Sequence, residues 1–181
     1  MPELLDLAER IVGWADEGEQ VEAVVVHERE TEVRAYEGEV ESLTSAESQG
    51  VGVRVVRDGR QGFAYAGTLD SDALAEVLAE ARDNLAFATP DEHCALAEPD
   101  GVEPAELDLY RAALVDHPTE AKVALALDLE RRTRAADPRI SGVESAEYSD
   151  SISESAVATT TGILATGRET GCFLSSYALA E

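Results

Sequence analysis

Lysine is almost missing from this sequence of 181 residues: Lys122 is the only one, and the bases together number 14 against 38 acids. A chain at formal net charge −24 repels phosphate backbones and anionic headgroups, which argues against direct nucleic-acid or membrane-surface binding. The excess reads as solvation rather than a binding face. Either a salt-rich cytosol, where screening relieves self-repulsion, or a GC-rich genome accounts for the missing lysine. Long apolar runs are absent too, and none approaches the ~18–20 residues that cross a bilayer. The opening Met1-Pro2-Glu3-Leu4-Leu5-Asp6 has acids where a leader peptide carries bases, so the expected compartment is cytoplasmic. Cysteine is scarce. Cys94 and Cys172 lie far apart, form no disulfide framework and read as buried or incidental thiols.

The patterns that carry chemistry are also lacking. His27, His93 and His117 are isolated from one another, and no His-Glu-x-x-His pair aims two imidazoles from one helical face. His93-Cys94 follows Glu92, but adjacent side chains diverge and rarely share a metal without a further cluster. No Gly-x-Ser-x-Gly elbow is present for a nucleophile. Gly50-Val51-Gly52 enters a strand instead of opening a helix, so it reads as a bend or close backbone contact, not a dinucleotide loop. With 38 acids any carboxylate pair is uninformative. Arg54, Arg57 and Arg60 could hold a carboxylate, although pairing with surface acids is the simpler role. No catalytic, cofactor-binding or metal residue is therefore assigned to this chain.

What remains is enough for a core, since 44% of residues are hydrophobic. Residues 2–16 place Leu4, Leu7, Ala8, Ile11, Val12 and Ala15 on one helical face, with Gly18 as the stop. Residues 21–28 and 32–36 read as two strands, Gly38 as a break and 39–48 as a weaker strand. The clearest local signal is Arg57-Asp58-Gly59-Arg60 between two β-prone runs, a two-residue hairpin turn that needs positive φ. Asp70 or Ser71 can cap a helix bearing Leu74, Val77, Leu78, Ala81 and Leu85. A Pro-, Asp- and Glu-rich stretch follows. A helix from about Pro118 to Ala136 ends at Asp137-Pro138. Strands are expected over 142–149, 153–161, 163–168 and 172–179. The fold class is α+β: antiparallel or mixed sheets with flanking amphipathic helices in two small subdomains, 1–90 and 105–181, joined by a linker over 91–104. The last strand has nothing downstream to cover it, so the second subdomain reads as incomplete.

The segment Gly50-Val51-Gly52-Val53-Arg54-Val55-Val56-Arg57-Asp58-Gly59-Arg60-Gln61-Gly62-Phe63-Ala64-Tyr65 resembles the signature of the TldD/PmbA family, also named for modulation of DNA gyrase. Tyr36-Glu37-Gly38-Glu39-Val40-Glu41-Ser42 is similar to the strand pair before it. Leu107-Asp108-Leu109-Tyr110, Ala136-Asp137-Pro138-Arg139-Ile140 and Glu147-Tyr148-Ser149-Asp150-Ser151 follow in the family's order. The likeness is greater to the PmbA (TldE) branch. Thr159-Thr160-Thr161-Gly162 departs from it, standing where members show an Asn-Ser-x-Gly-like turn.

The resemblance implies a cytosolic zinc metallopeptidase system acting on unfolded peptides, with proteolysis as its activity. In the TldD branch a His-Glu-x-x-x-His motif and a later cysteine hold the zinc. This chain has no such motif, so zinc is expected only in a TldD-type partner or a C-terminal region, and Cys172 is not promoted to a ligand. The expected role is an N-terminal region that helps form a peptide channel and a partner interface, with a TldD-type subunit or a second copy as the dimer partner. The alternative is a non-enzymatic acidic module regulating a DNA-handling enzyme such as gyrase.

Overall fold

The computed structural model describes residues 2–103 and 105–181. Met1, and Pro104 at the end of the expected linker, lie outside the described residues. The elements run α1 (Pro2–Val12), β1 (Gln20–Tyr36), β2 (Glu39–Arg57), β3 (Arg60–Ala66), α2 (Ser71–Leu85), α3 (Ala112–Val115), α4 (Thr119–Ala135), β4 (Ile140–Thr159) and β5 (Leu164–Ala180). The class is α+β, with one open antiparallel sheet in the order β3-β2-β1-β4-β5.

The strands are longer than the sequence pattern predicts. The two pieces expected over 21–36 are one strand of 17 residues, because the charged residues 28–32 sit partly or fully exposed and need not leave the ladder. The two expected over 142–161 are likewise one strand, β4, which carries a charged residue, Asp150, in its buried middle. Gly38, expected as a break, is a turn residue at φ +80° beside Glu37 at φ +54°, and it joins β1 to β2.

Two compact units result, each assembled from separated stretches of chain. The first comprises Met1–His27, Ser48–Asp108 and Ser153–Arg168. Its core gathers Leu4, Ala8 and Ile11 from α1, and Leu74, Val77, Leu78 and Ala81 from α2. These lie on Val21, Ala23 and Val25 of β1, Val51, Val53 and Val55 of β2, and Ala64 of β3. Each such Val, Leu or Ile side chain, taken fully out of water, contributes about 1.5–3 kcal/mol. Four residues of the predicted stripe of α2 are thus buried, and the fifth, Leu85, packs partly buried against them. The helix starts after Asp70, whose carboxylate bonds Thr68 Oγ1 at 2.8 Å and makes no cap bond. It packs so closely on β3 that a Cβ at Gly62 would come 1.9 Å from the Ala81 carbonyl oxygen. The hairpin turn is as predicted, with Asp58 at φ +52° and Gly59 at φ +69°.

Part of the Pro- and acid-rich stretch after α2 packs on this unit. Leu96 is buried and its N–H donates to Gln20 Oε1 at 3.0 Å.

The second unit comprises Glu28–Glu47, Leu109–Ile152 and Glu169–Glu181. Helix α4 lays Ala126 against Val33 and Ala35 of β1 and against Val143, Ala146 and Tyr148 of β4. The buried stripe of α4 is Lys122, Ala126 and Glu130, at i, i+4 and i+8. A polar residue at each end of that stripe is the reason the helix has little amphipathic signal in its sequence.

Candidate functional site

Residues singled out by type are not brought together by the fold. His27 lies within β1, His93 is exposed with Nε2 3.8 Å from the Glu92 carboxylate, and His117 precedes α4. Cys172 is exposed and Cys94 half-buried, both as free thiols. Among the described residues no three His, Cys, Asp or Glu side chains form a metal-binding group. These residues do not fit a catalytic zinc, which needs three converging ligands.

The arginines near the hairpin have partners. Arg54 pairs with Glu22 at 3.0 Å, and Arg60 donates to the Ala88 carbonyl at 2.7 Å. Gly50 and Gly52 sit inside β2 and open no helix. A Cβ on Gly50 would meet the Ala66 carbonyl oxygen at 3.0 Å, and one on Gly52 the Phe63 ring at 3.3 Å. These are close-approach glycines. At the β4–β5 turn the three threonines are put to use. Thr160 Oγ1 accepts the Val21 N–H at 3.0 Å, Thr159 Oγ1 accepts that of Ile163 at 2.9 Å, and Thr161 donates to the Ala97 carbonyl at 2.7 Å.

Residue type alone missed a buried polar network in the second unit. Asp150 Oδ2 receives Lys122 Nζ at 2.5 Å and the Tyr148 hydroxyl at 2.5 Å, and Lys122 also reaches Thr31 Oγ1 at 3.4 Å. Burial and the neighbouring Asp150 carboxylate push the Tyr148 phenol well above its ordinary range. The network lines a hollow of about 340 Å³ with Arg29, Ser45 and Glu47. One signal could have found it: the only lysine of the chain lies four residues before a buried alanine on the same helix.

The second feature is an open edge. The β2–β3 ladder pairs Val51–Arg57 with Arg60–Ala66, so among the described residues no strand lies on the outer side of residues 39–47 of β2. β5 is the opposite edge. It exposes Phe173, Tyr177 and Leu179 in alternate positions, with Thr170 N–H bonded to the Leu109 carbonyl at 3.0 Å. Unpaired edges are where another chain can add its backbone.

The comparisons decide the family. The model of PmbA/TldA metallopeptidase domain 1 matches residues 21–85, and that of the PmbA/TldA metallopeptidase central domain matches residues 113–181. The chain belongs to the PmbA/TldD metallopeptidase family. Three solved structures share its fold. A proposed modulator of DNA gyrase from Bacteroides thetaiotaomicron is 20% identical with a TM-score of 0.85, over 100% of this chain and 42% of that one. A second proposed modulator, from Thermotoga maritima, is 21% identical with a TM-score of 0.79, over 97% of this chain and 40% of that one. TldE from Thermococcus kodakarensis is 16% identical with a TM-score of 0.76, over 100% of this chain and 39% of that one. No curated protein sequence matches. This PmbA/TldD chain thus spans about two-fifths of the length of those structures.

Proposed function

We propose that the chain is a noncatalytic N-terminal portion of a PmbA (TldE)-like subunit, working with a TldD-type subunit in a cytosolic zinc metallopeptidase. The observation that carries this is the match to domain 1 and the central domain on a chain whose described residues converge no metal ligands. A zinc ion held by the partner or by a C-terminal region would supply the Lewis-acid chemistry for peptide hydrolysis, and the described residues of this chain would add no ligand to it. The residues here hold and guide. The bare outer side of β2 at 39–47 and the β5 edge offer backbone groups to an extended peptide or to a partner's strand. The family match favours this reading over an acidic regulator of a DNA-handling enzyme.

Co-expression with a TldD-type subunit tests it. The two should co-elute in size-exclusion chromatography, zinc should follow the TldD-type subunit, and chelator-sensitive peptide cleavage should need both. Cleavage by the 181-residue chain alone, abolished by a chelator, would overturn the proposal.

A further inference from the structure

In the first unit α1 and α2 both pack on one face of the sheet, the face of Val21, Val53 and Ala64. Residues of opposite parity turn to the other face. There Val24, Val26, Gly50, Gly52, Phe63 and Tyr65 line a shallow apolar hollow of about 420 Å³. Phe63 is 52% exposed and Tyr65 77%, and their rings stack with centroids 6.4 Å apart. Two exposed stacked aromatics are conspicuous in a chain whose aromatic content is 5%. The glycines opposite them keep the floor low, since a side chain at position 52 would meet the Phe63 ring.

The backbone beside the hollow is also available. Across the two-residue turn Arg57 and Arg60 form the first mutually bonded pair, so Val55 with Gly62 and Val53 with Ala64 repeat it. The intervening Gln61, Phe63 and Tyr65 point their peptide groups away from β2. The Phe63 carbonyl is taken by Asn84 Nδ2 at 2.9 Å, which agrees with that direction. Among the described residues no strand pairs with the outer side of β3. Tyr65 therefore presents an aromatic ring to the hollow and an unpaired edge to a neighbour.

Charge selects the occupant. Glu22 and Arg54 cancel at the rim, so the hollow is neutral, while the molecule around it stands at −24. A second copy approaches against a like-signed field, and a basic segment is drawn in by it.

We propose that Tyr65 and Phe63 hold an extended peptide that adds its backbone to the β3 edge at Tyr65, lays an apolar side chain in the hollow, and carries Lys or Arg on either side. This rests on the peptide-handling function proposed above and adds a preference to it.

The test is fluorescence anisotropy on the 181-residue chain, its Tyr65→Ser variant and the double variant Phe63→Ser/Tyr65→Ser, with melting temperatures checked. The probes are two labelled peptides of about ten residues with the same Leu-rich centre, one flanked by Lys and one by Glu. The Lys-flanked peptide should bind about tenfold tighter than the Glu-flanked one and should weaken on raising salt from about 50 to about 500 mM. The double variant should lose about thirtyfold in affinity at an unchanged melting temperature, as for loss of an aromatic anchor, and Tyr65→Ser alone a smaller part. Three results would overturn the proposal: no binding of the Lys-flanked peptide, equal binding of both peptides, or equal binding by wild type and variants. A wild-type dimer that the double variant dissolves would make a second copy the occupant and overturn it as well. Any of these with TldD-type co-elution intact defeats the preference alone; failed co-elution reaches the proposed function.

Discussion

Lys122 and Tyr148 meet at a single atom: the ammonium nitrogen and the phenol oxygen each lie 2.5 Å from Asp150 Oδ2. Lys122 and Asp150 are both buried, and the pair ties α4 to β4. Asp150→Asn leaves the ammonium buried without its counter-charge, and the expected loss is about 3–5 kcal/mol in urea unfolding. Lys122→Met with Asp150→Leu removes both charges and should recover most of it. A double variant no more stable than Asp150→Asn would show that the carboxylate's hydrogen bond to Tyr148, and not the ion pair, carries the stability.

A second ion pair makes the first unit sensitive to acid. Burial pushes the Glu19 carboxyl up, but hydrogen bonds from the Arg82 guanidinium and the Asp16 N–H outweigh it, and the net position is below the ordinary range. Arg82 holds both Glu19 oxygens, with Nη2 to Oε2 at 2.8 Å and Nε to Oε1 at 3.0 Å, and Nη2 also bonds the Trp14 carbonyl at 2.8 Å. A carboxyl lowered in the folded state binds its proton more weakly there than in the unfolded chain. Its stabilisation is present above the unfolded value of about 4.3 and is lost as pH falls through the lower folded value. Urea midpoints taken downward from about pH 6 should therefore fall more steeply below about pH 4.3 for wild type than for Glu19→Gln. Parallel profiles would reject the linkage.

Much of the fold was legible, and the failures share a cause. The Asp58-Gly59 turn and the stripe of α2 could be read because local chemistry and burial agree there: positive φ needs those residues, and the apolar positions are the buried ones. The β1 and β4 strands look fragmented in the sequence, where acids at 28, 30 and 32 and Asp150 interrupt the apolar pattern, while the strands continue through them. The Lys122 network shows in the sequence only through that single lysine, because its members lie on α4, β1 and β4 and only the tertiary fold joins them. The open edge at 39–47 depends on where β3 stops, which no local pattern states.

Gly62 is where the helix layer touches the sheet most closely. A methyl at 1.9 Å from a carbonyl oxygen cannot be relieved by a rotamer change, because the obstacle is α2 backbone. Gly62→Ala should cost about 3 kcal/mol or more, at or above the usual cost of overpacking. Gly67→Ala, where nothing lies within 4 Å of the added carbon, is the control. It should be neutral or stabilising by up to about 1 kcal/mol through the unfolded state. Equal melting temperatures for the two variants would mean that α2 can slide on β3.

Glu130 is 2% exposed and does two things: one oxygen accepts the Gly38 N–H at 2.9 Å and the other faces Arg134 Nη2 at 3.1 Å. The first bond fixes the β1–β2 turn to α4, and the second is a one-turn helix pair with a half-exposed arginine, worth little by itself. The two roles separate by substitution. Glu130→Gln keeps an acceptor for Gly38 and gives up the charge, so the loss should stay below about 1 kcal/mol. Glu130→Met fills the space and removes the acceptor, leaving the Gly38 N–H unsatisfied at a cost of about 1–3 kcal/mol. Amide exchange reads the bond directly. Gly38 should remain protected in the glutamine variant and lose protection in the methionine variant, whereas equal loss in both would assign the turn's order to the Arg134 pair.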